Sequence, residues 1–107
     1  MTKTHAERAE ALVSLLAELE LSDARWWIDR VSVPTLDLPS RFEDLQRFGV
    51  VSLDRKSMHY YYHPCSRSAD AEREVERYVR ELDGVIFAVL DLDNERPMTL
   101  RVTAELL

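Results

Sequence analysis

The sequence predicts an α+β fold in which three short helices lead into a β-hairpin, and a longer helix precedes a second hairpin at the C-terminus. Three observations carry this. Capping-box spacing occurs at Thr4 and Glu7 and again at Ser40 and Glu43, each just before an apolar run. Residues 50–53 and 58–63 are rich in β-branched and aromatic side chains and flank the polar turn Asp54-Arg55-Lys56-Ser57. A continuous apolar run at 85–90 is followed by alternation from Met98 to Leu106.

In chain order, Leu12, Leu15, Leu16 and Leu19 fall on one face of a helix expected over 5–20. Ser22 can cap a second, short helix in which Ala24, Trp27, Ile28 and Val31 share a face, until Pro34 forbids continuation. After the Pro34–Pro39 connector, Phe42 and Leu45 face inward on a third helix over 40–48, with Gly49 at its left-handed C-terminal position. The hairpin of residues 50–63 comes next. Ser66 or Ser68 opens a fourth helix, where Val75, Tyr78, Val79 and Leu82 follow the 3.6-residue period and Gly84 ends it. The run from Val85 to Leu90 reads as a strand buried on both faces, and Asp93-Asn94-Glu95-Arg96-Pro97 joins it to a half-exposed last strand. A length of 107 residues suits one domain over 1–107, made of a core over 1–82 and a C-terminal hairpin over 83–107.

Composition narrows the function. With 46% hydrophobic and 32% charged residues the chain is expected to fold rather than stay disordered. No apolar stretch approaches the roughly 20 residues that cross a bilayer, and the polar start Met-Thr-Lys-Thr-His lacks a signal-peptide core. A cytoplasmic location is expected, and the single Cys65 fits a reducing compartment. Net charge is −6, distributed as −3 over residues 1–24, +2 over 25–67 and −5 over 68–107. The middle stretch alone is suited to phosphate.

No catalytic signature is present. The two glycines leave no phosphate-cradling loop, and no nucleophile stands in a recognisable pattern with a base. His59, His63 and Cys65 are metal-ligand types, but residues four apart on a strand are about 13 Å from each other, too far for one tetrahedral zinc. Asp91, Asp93 and Glu95 cluster around a loop and read as solvated turn residues. No cofactor or metal is called for. Trp26 and Trp27 stand about 100° apart on a helix, so one anchors the core and the other is free for a partner, the contact role falling to Trp26.

The pattern of Arg25-Trp26-Trp27 before a short helix, Leu38-Pro39-Ser40 opening the next, Leu45 to Val51 leading into a hairpin and Tyr60-Tyr61-Tyr62-His63-Pro64 leaving it resembles small bacterial winged helix-turn-helix proteins, over roughly residues 8–82. The resemblance implies a winged-helix-like core and a small DNA-binding transcriptional regulator, with helix three in the major groove. Arg41 and Arg47 would then reach phosphates or guanine edges, and Arg55 and Lys56 at the wing tip would contact the backbone or minor groove. The sequence departs from the pattern at the proline-rich Val31–Leu38 segment and at the acids Glu43 and Asp44 in the reading helix. The alternative is an acidic protein-binding module, such as an immunity protein or a phage-encoded inhibitor, that covers a basic surface on its target. Glu72, Glu76, Asp83 and the loop acids would steer association, Trp26 would contact the partner, and the edge strand over 98–106 could extend a partner's sheet or pair two copies in a homodimer.

Overall fold

The computed structural model describes residues 3–81 and 84–98. Helix α1 (His5–Glu18) is followed by strands β1 (Arg25–Ile28) and β2 (Val31–Pro34), then by two 3₁₀ turns, Thr35–Asp37 and Pro39–Arg41. Strands β3 (Phe48–Asp54) and β4 (Tyr60–Cys65), helix α2 (Ser68–Glu81), strand β5 (Gly84–Asp91) and the short β6 (Arg96–Pro97) complete the order. All six strands form one mixed sheet, ordered β2-β1-β4-β3-β5-β6. β1 and β4 run parallel, and every other pairing is antiparallel.

Helix α1 begins as its residues dictate. The Thr4 hydroxyl accepts from the Glu7 N–H and the Glu7 carboxylate accepts from the Thr4 N–H, so two otherwise orphaned donors are satisfied. At its end Glu20 takes a left-handed φ of 62°, and the Leu21 N–H reaches back to the Leu16 carbonyl, which closes the last turn. Ala11, Leu12, Leu15 and Leu16 pack on one face of the sheet with Trp26, Val33, Val51, Tyr62, Ala88 and Leu90. Helix α2 covers part of the opposite face, where Ala71 and Val75 meet Phe48, Val50, Cys65 and Val89. The sheet therefore lies between two helices, with β3 near its centre between β4 and β5.

The winged-helix-like core is overturned by this strand-rich sheet, at two elements. Residues 25–34 form a hairpin and not a helix. Its Asp29-Arg30 turn has both φ values positive, 50° and 68°, the combination whose twist matches that of the flanking strands. Trp26 is wholly buried and pairs with Val33, whereas Trp27 faces outward beside Ser32. A period of two has displaced the helical spacing of Ala24, Trp27, Ile28 and Val31. The contact role assigned to Trp26 falls with it, because Trp26 is core.

Residues 40–48 are likewise not a helix. The turn Pro39–Arg41 ends at Phe42, which is extended at φ −111° and ψ 130°. Beyond it the Leu45 N–H donates to His5 Nδ1 at 2.9 Å, and the Leu45 carbonyl accepts from Arg8 Nη1 at 2.8 Å. Side chains of α1 thus occupy the backbone groups that a local helix would have paired internally. The hairpin over β3 and β4 matches the expected one, but it is the centre of the sheet and not a projecting wing. The fourth helix and the strand after it stand where they are expected, with Gly84 opening β5 instead of capping α2. Leu82, Asp83 and the alternating stretch 99–106 lie outside the described residues.

Gly49 sits inside β3, under the ring of Tyr62. A Cβ at this position would lie 1.8 Å from the Tyr62 hydroxyl oxygen, so glycine is required by close approach and not by a left-handed turn. The Tyr62 ring also meets Phe42 and Trp26 edge-on, at centroid separations of 5.5 and 6.5 Å. Its buried hydroxyl has no hydrogen-bond partner among the described residues, and burial raises its pKa. Gly49→Ala is expected to destabilise by about 1–3 kcal/mol through overpacking. Tyr62→Phe should leave stability unchanged or higher, because it removes an unsatisfied buried hydroxyl. Urea unfolding of both variants checks this, and a stable Gly49→Ala protein would show that the ring yields freely.

Candidate functional site

The cations and acids of the chain are sorted by the fold into those that hold it together and those left at the surface. The turn after β5 carries Asp91, Asp93 and Glu95, and each is opposed by a base. Arg8, itself buried, donates from Nε and Nη2 to the two oxygens of Asp93 at 2.8 and 3.2 Å. Arg47 donates to both oxygens of Asp91 at 3.2 Å and lies over the Phe48 ring at 4.8 Å. Lys3 meets Glu95 at 3.2 Å. Asp91 also accepts from the backbone and side chain of Asn94. The Arg8 guanidinium holds the Asp93 carboxyl below its ordinary value. Burial pushes Asp91 upward, but Arg47 and Asn94 outweigh it and leave that carboxyl lowered too. These acids brace the β5–β6 turn against α1 and β3.

The cations expected to contact nucleic acid do not converge. Arg41 is exposed at the end of the second 3₁₀ turn, on the α1 side of the molecule. Arg47 is engaged by Asp91. Arg55 and Lys56 are exposed on the turn between β3 and β4, where the Asp54 carboxylate accepts from the Lys56 N–H and the Ser57 hydroxyl. Of the acids expected to steer a protein partner, Glu72 and Glu76 are half-buried on α2, and Asp83 lies outside the described residues. Their neighbours on α2 are matched by bases: Asp70 pairs with Arg67 and Arg73, and Glu74 pairs with Arg77 and stands 3.5 Å from His63 Nε2.

The other candidate chemistry is structural. Burial pushes the Cys65 thiol up to about 11, which leaves it protonated and unreactive near neutrality. Among the described residues no group of three or more His, Cys, Asp or Glu side chains is placed to hold a metal ion. No helix among them is long and apolar enough to cross a membrane.

A concave surface lies between α1 and the 3₁₀ turns. Ala9, Glu10, Val13 and Ser14 supply one wall, and Leu36, Pro39 and Ser40 the other, around an open trough of about 630 Å³. Its position follows from Thr35, which is buried and accepts the Trp26 indole N–H at 3.1 Å while donating to the Leu21 carbonyl at 2.6 Å. With Thr35 and Leu38 turned inward, Leu36 between them is turned out, and it is 76% exposed. Acids stand along this side. Glu10 lines the trough, exposed Glu7 and Glu18 follow on the same helix, and exposed Asp37 adjoins Leu36. Of the bases of this region, Lys3 and Arg8 are held in ion pairs, and Arg41 is exposed beside Ser40. Sequence reading missed the trough, although a leucine isolated in a connector bounded by prolines was its visible sign.

Comparison with known proteins found no matching family model, no matching curated protein and no matching solved structure. The functional reading therefore rests on geometry and charge.

The ion pairs predict an acid-labile fold. Because Asp93 has a lower pKa folded than unfolded, its contribution is complete above the ordinary value of 3.8 and is lost as pH falls through the folded value. Asp93→Asn is expected to lower stability at pH 7 by about 1–3 kcal/mol. It should also flatten the decline of stability between about pH 5 and pH 2. Urea unfolding across that range reads both effects, and an unchanged slope would remove Asp93 from the acid response.

Proposed function

We propose that the chain is a non-catalytic, acidic protein-binding module that docks a basic surface of a protein partner through the trough beside α1. The observation that carries this reading is the trough itself, an open apolar channel with Leu36 projecting into solvent, Glu10 in its wall and exposed Asp37 next to Leu36 in the chain. An exposed leucine beside a concave apolar surface is the composition of an interface core, and charges at its rim set the rate and choice of partner. The net charge of −6 adds long-range attraction for a cationic target. Two of the bases near α1, Arg8 and Lys3, are paired with Asp93 and Glu95 and so offset the acids of that helix less. An immunity protein or an inhibitor that caps a nucleic-acid-handling or otherwise basic target has this character.

The apolar walls suit a helix that lays one face into the groove with lysines or arginines on its flanks. A labelled lysine-rich amphipathic helical peptide is expected to bind with an affinity that falls severalfold between about 50 and 300 mM salt. Glu10→Lys combined with Asp37→Lys should weaken it about tenfold or more, and Leu36→Asp should do the same. Glu72→Lys with Glu76→Lys on α2 serves as the control and should change it less than about twofold. Fluorescence anisotropy decides. Equal losses from both pairs of charge reversals would mean diffuse attraction to an acidic protein, with no role for the trough.

A further inference from the structure

The two helices do not cover the sheet equally. Helix α2 packs on β3, β4 and β5, through Phe48, Val50, Cys65 and Val89. The parallel pairing of Trp26 with Tyr60 sends both of those rings toward α1, at a centroid separation of 5.4 Å. Alternation then directs Trp27 and Tyr61 to the opposite face, away from α1. His59 lies on that face as well, its ring 5.2 Å from that of Trp27. Trp27 is 37% exposed and Tyr61 is half-buried, so neither is sealed by α2.

Cations border these rings. Arg25 lies two residues before Trp27 on the same face of β1, held down by bonds from Nε to the Ser32 hydroxyl at 3.1 Å and from Nη2 to the Ser32 carbonyl at 2.8 Å. Exposed Arg55 and Lys56 stand on the turn that leads into His59, and the acid of that turn, Asp54, is occupied by the Lys56 N–H and the Ser57 hydroxyl. Beyond Tyr61 the face ends at His63 and Glu74, whose carboxylate is engaged by Arg77.

We infer that this open half of the sheet, with Trp27, His59 and Tyr61 as stacking rings and Arg25, Arg55 and Lys56 at its border, is a binding surface for single-stranded nucleic acid. Flat rings on adjacent strands accept unpaired bases whatever their sequence, and cations at the margin follow the backbone. The face is distinct from the trough, because Trp26 and Trp27 point to opposite sides of the sheet. A duplex, whose bases are already stacked on one another, cannot use the rings in this way. The acids of α1 lie across the sheet from the site, while those of α2 share its face, where Asp70 and Glu74 are paired with arginines.

The two tryptophans make the test direct, since Trp26 is wholly buried and Trp27 is not. Titration with a twelve-residue oligo(dT) and with oligo(U) at about 50 mM salt should quench the exposed indole, with affinity falling as salt rises. Trp27→Ala should abolish the quenching and weaken binding, followed by gel shift, about tenfold or more. Tyr61→Ala is the second variant in case the first unfolds, with circular dichroism confirming that each is folded. Arg55→Glu with Lys56→Glu should lower the salt slope by about one per lost contact. Absence of binding by both oligonucleotides would overturn the inference. So would binding of oligo(dT) or a matched duplex that is unchanged by Trp27→Ala and Tyr61→Ala, or equal quenching by polyglutamate, which has no bases. Failure of the amphipathic peptide to bind the trough leaves this test unaffected, because the two surfaces share no residue.

Discussion

The hydrogen bond from the Trp26 indole to the Thr35 hydroxyl is the constraint from which both exposed surfaces follow. A buried indole N–H needs a partner, and a buried threonine hydroxyl needs both a donor and an acceptor. Here the indole donates to the Thr35 hydroxyl, which in turn donates to the carbonyls of Leu21 and Ala24, 2.6 and 3.1 Å from its oxygen. The bond ties the end of α1, the start of β1 and the first 3₁₀ turn into one unit. Once Trp26 is fixed inward, strand alternation forces Trp27 out on the far side of the sheet. Once Thr35 is fixed inward, Leu36 is forced out beside α1. One buried contact thereby sets an aromatic face on one side and an apolar trough on the other.

Charge is divided along the same lines. Arg8 and Arg47 reach from α1 and the start of β3 to the acids of the β5–β6 turn, where shielding from water makes paired charges matter more than on an open surface. Arg8 is thereby taken out of the surface beside α1, whereas Arg47 stays exposed within its pair and Arg41 is exposed at the second 3₁₀ turn. Among the exposed bases, Arg25 lies on the same face of β1 as Trp27, Arg30 stands on the β1–β2 turn, and Arg55 and Lys56 stand on the turn between β3 and β4. Net charge alone, at −6, does not show which charges are paired, and a chain that is acidic overall can still expose cations beside its aromatic rings.

What was legible in the sequence was local. Thr4 and Glu7 cap α1 in three residues, the leucine spacing places its buried face, and the polar turn at 54–57 separates two strands that pair as expected. The miss at 25–34 has a specific cause. Asp29-Arg30 carries no glycine, so a turn with two positive φ values had no visible marker, and a helical spacing of apolar residues was available by coincidence. The miss at 40–48 arose because the groups that hold Leu45 belong to His5 and Arg8, 40 and 37 positions away. Gly49 was misread for the same reason. Its requirement comes from Tyr62 on the neighbouring strand, and nothing within reach along the chain announces it.

The amino-acid sequence by itself determined where α1 and α2 begin, which stretches favour extended backbone around β3, β4 and β5, and how charge is apportioned among the three parts of the chain. Those properties depend on hydrogen bonds and side-chain spacing within a few residues. The tertiary structure alone decided which tryptophan is core, that the central hairpin is covered on both edges, and which cations and acids remain at the surface. These depend on partners brought together by the sheet from distant positions, and the free energy that selects them exists only when the whole core is assembled.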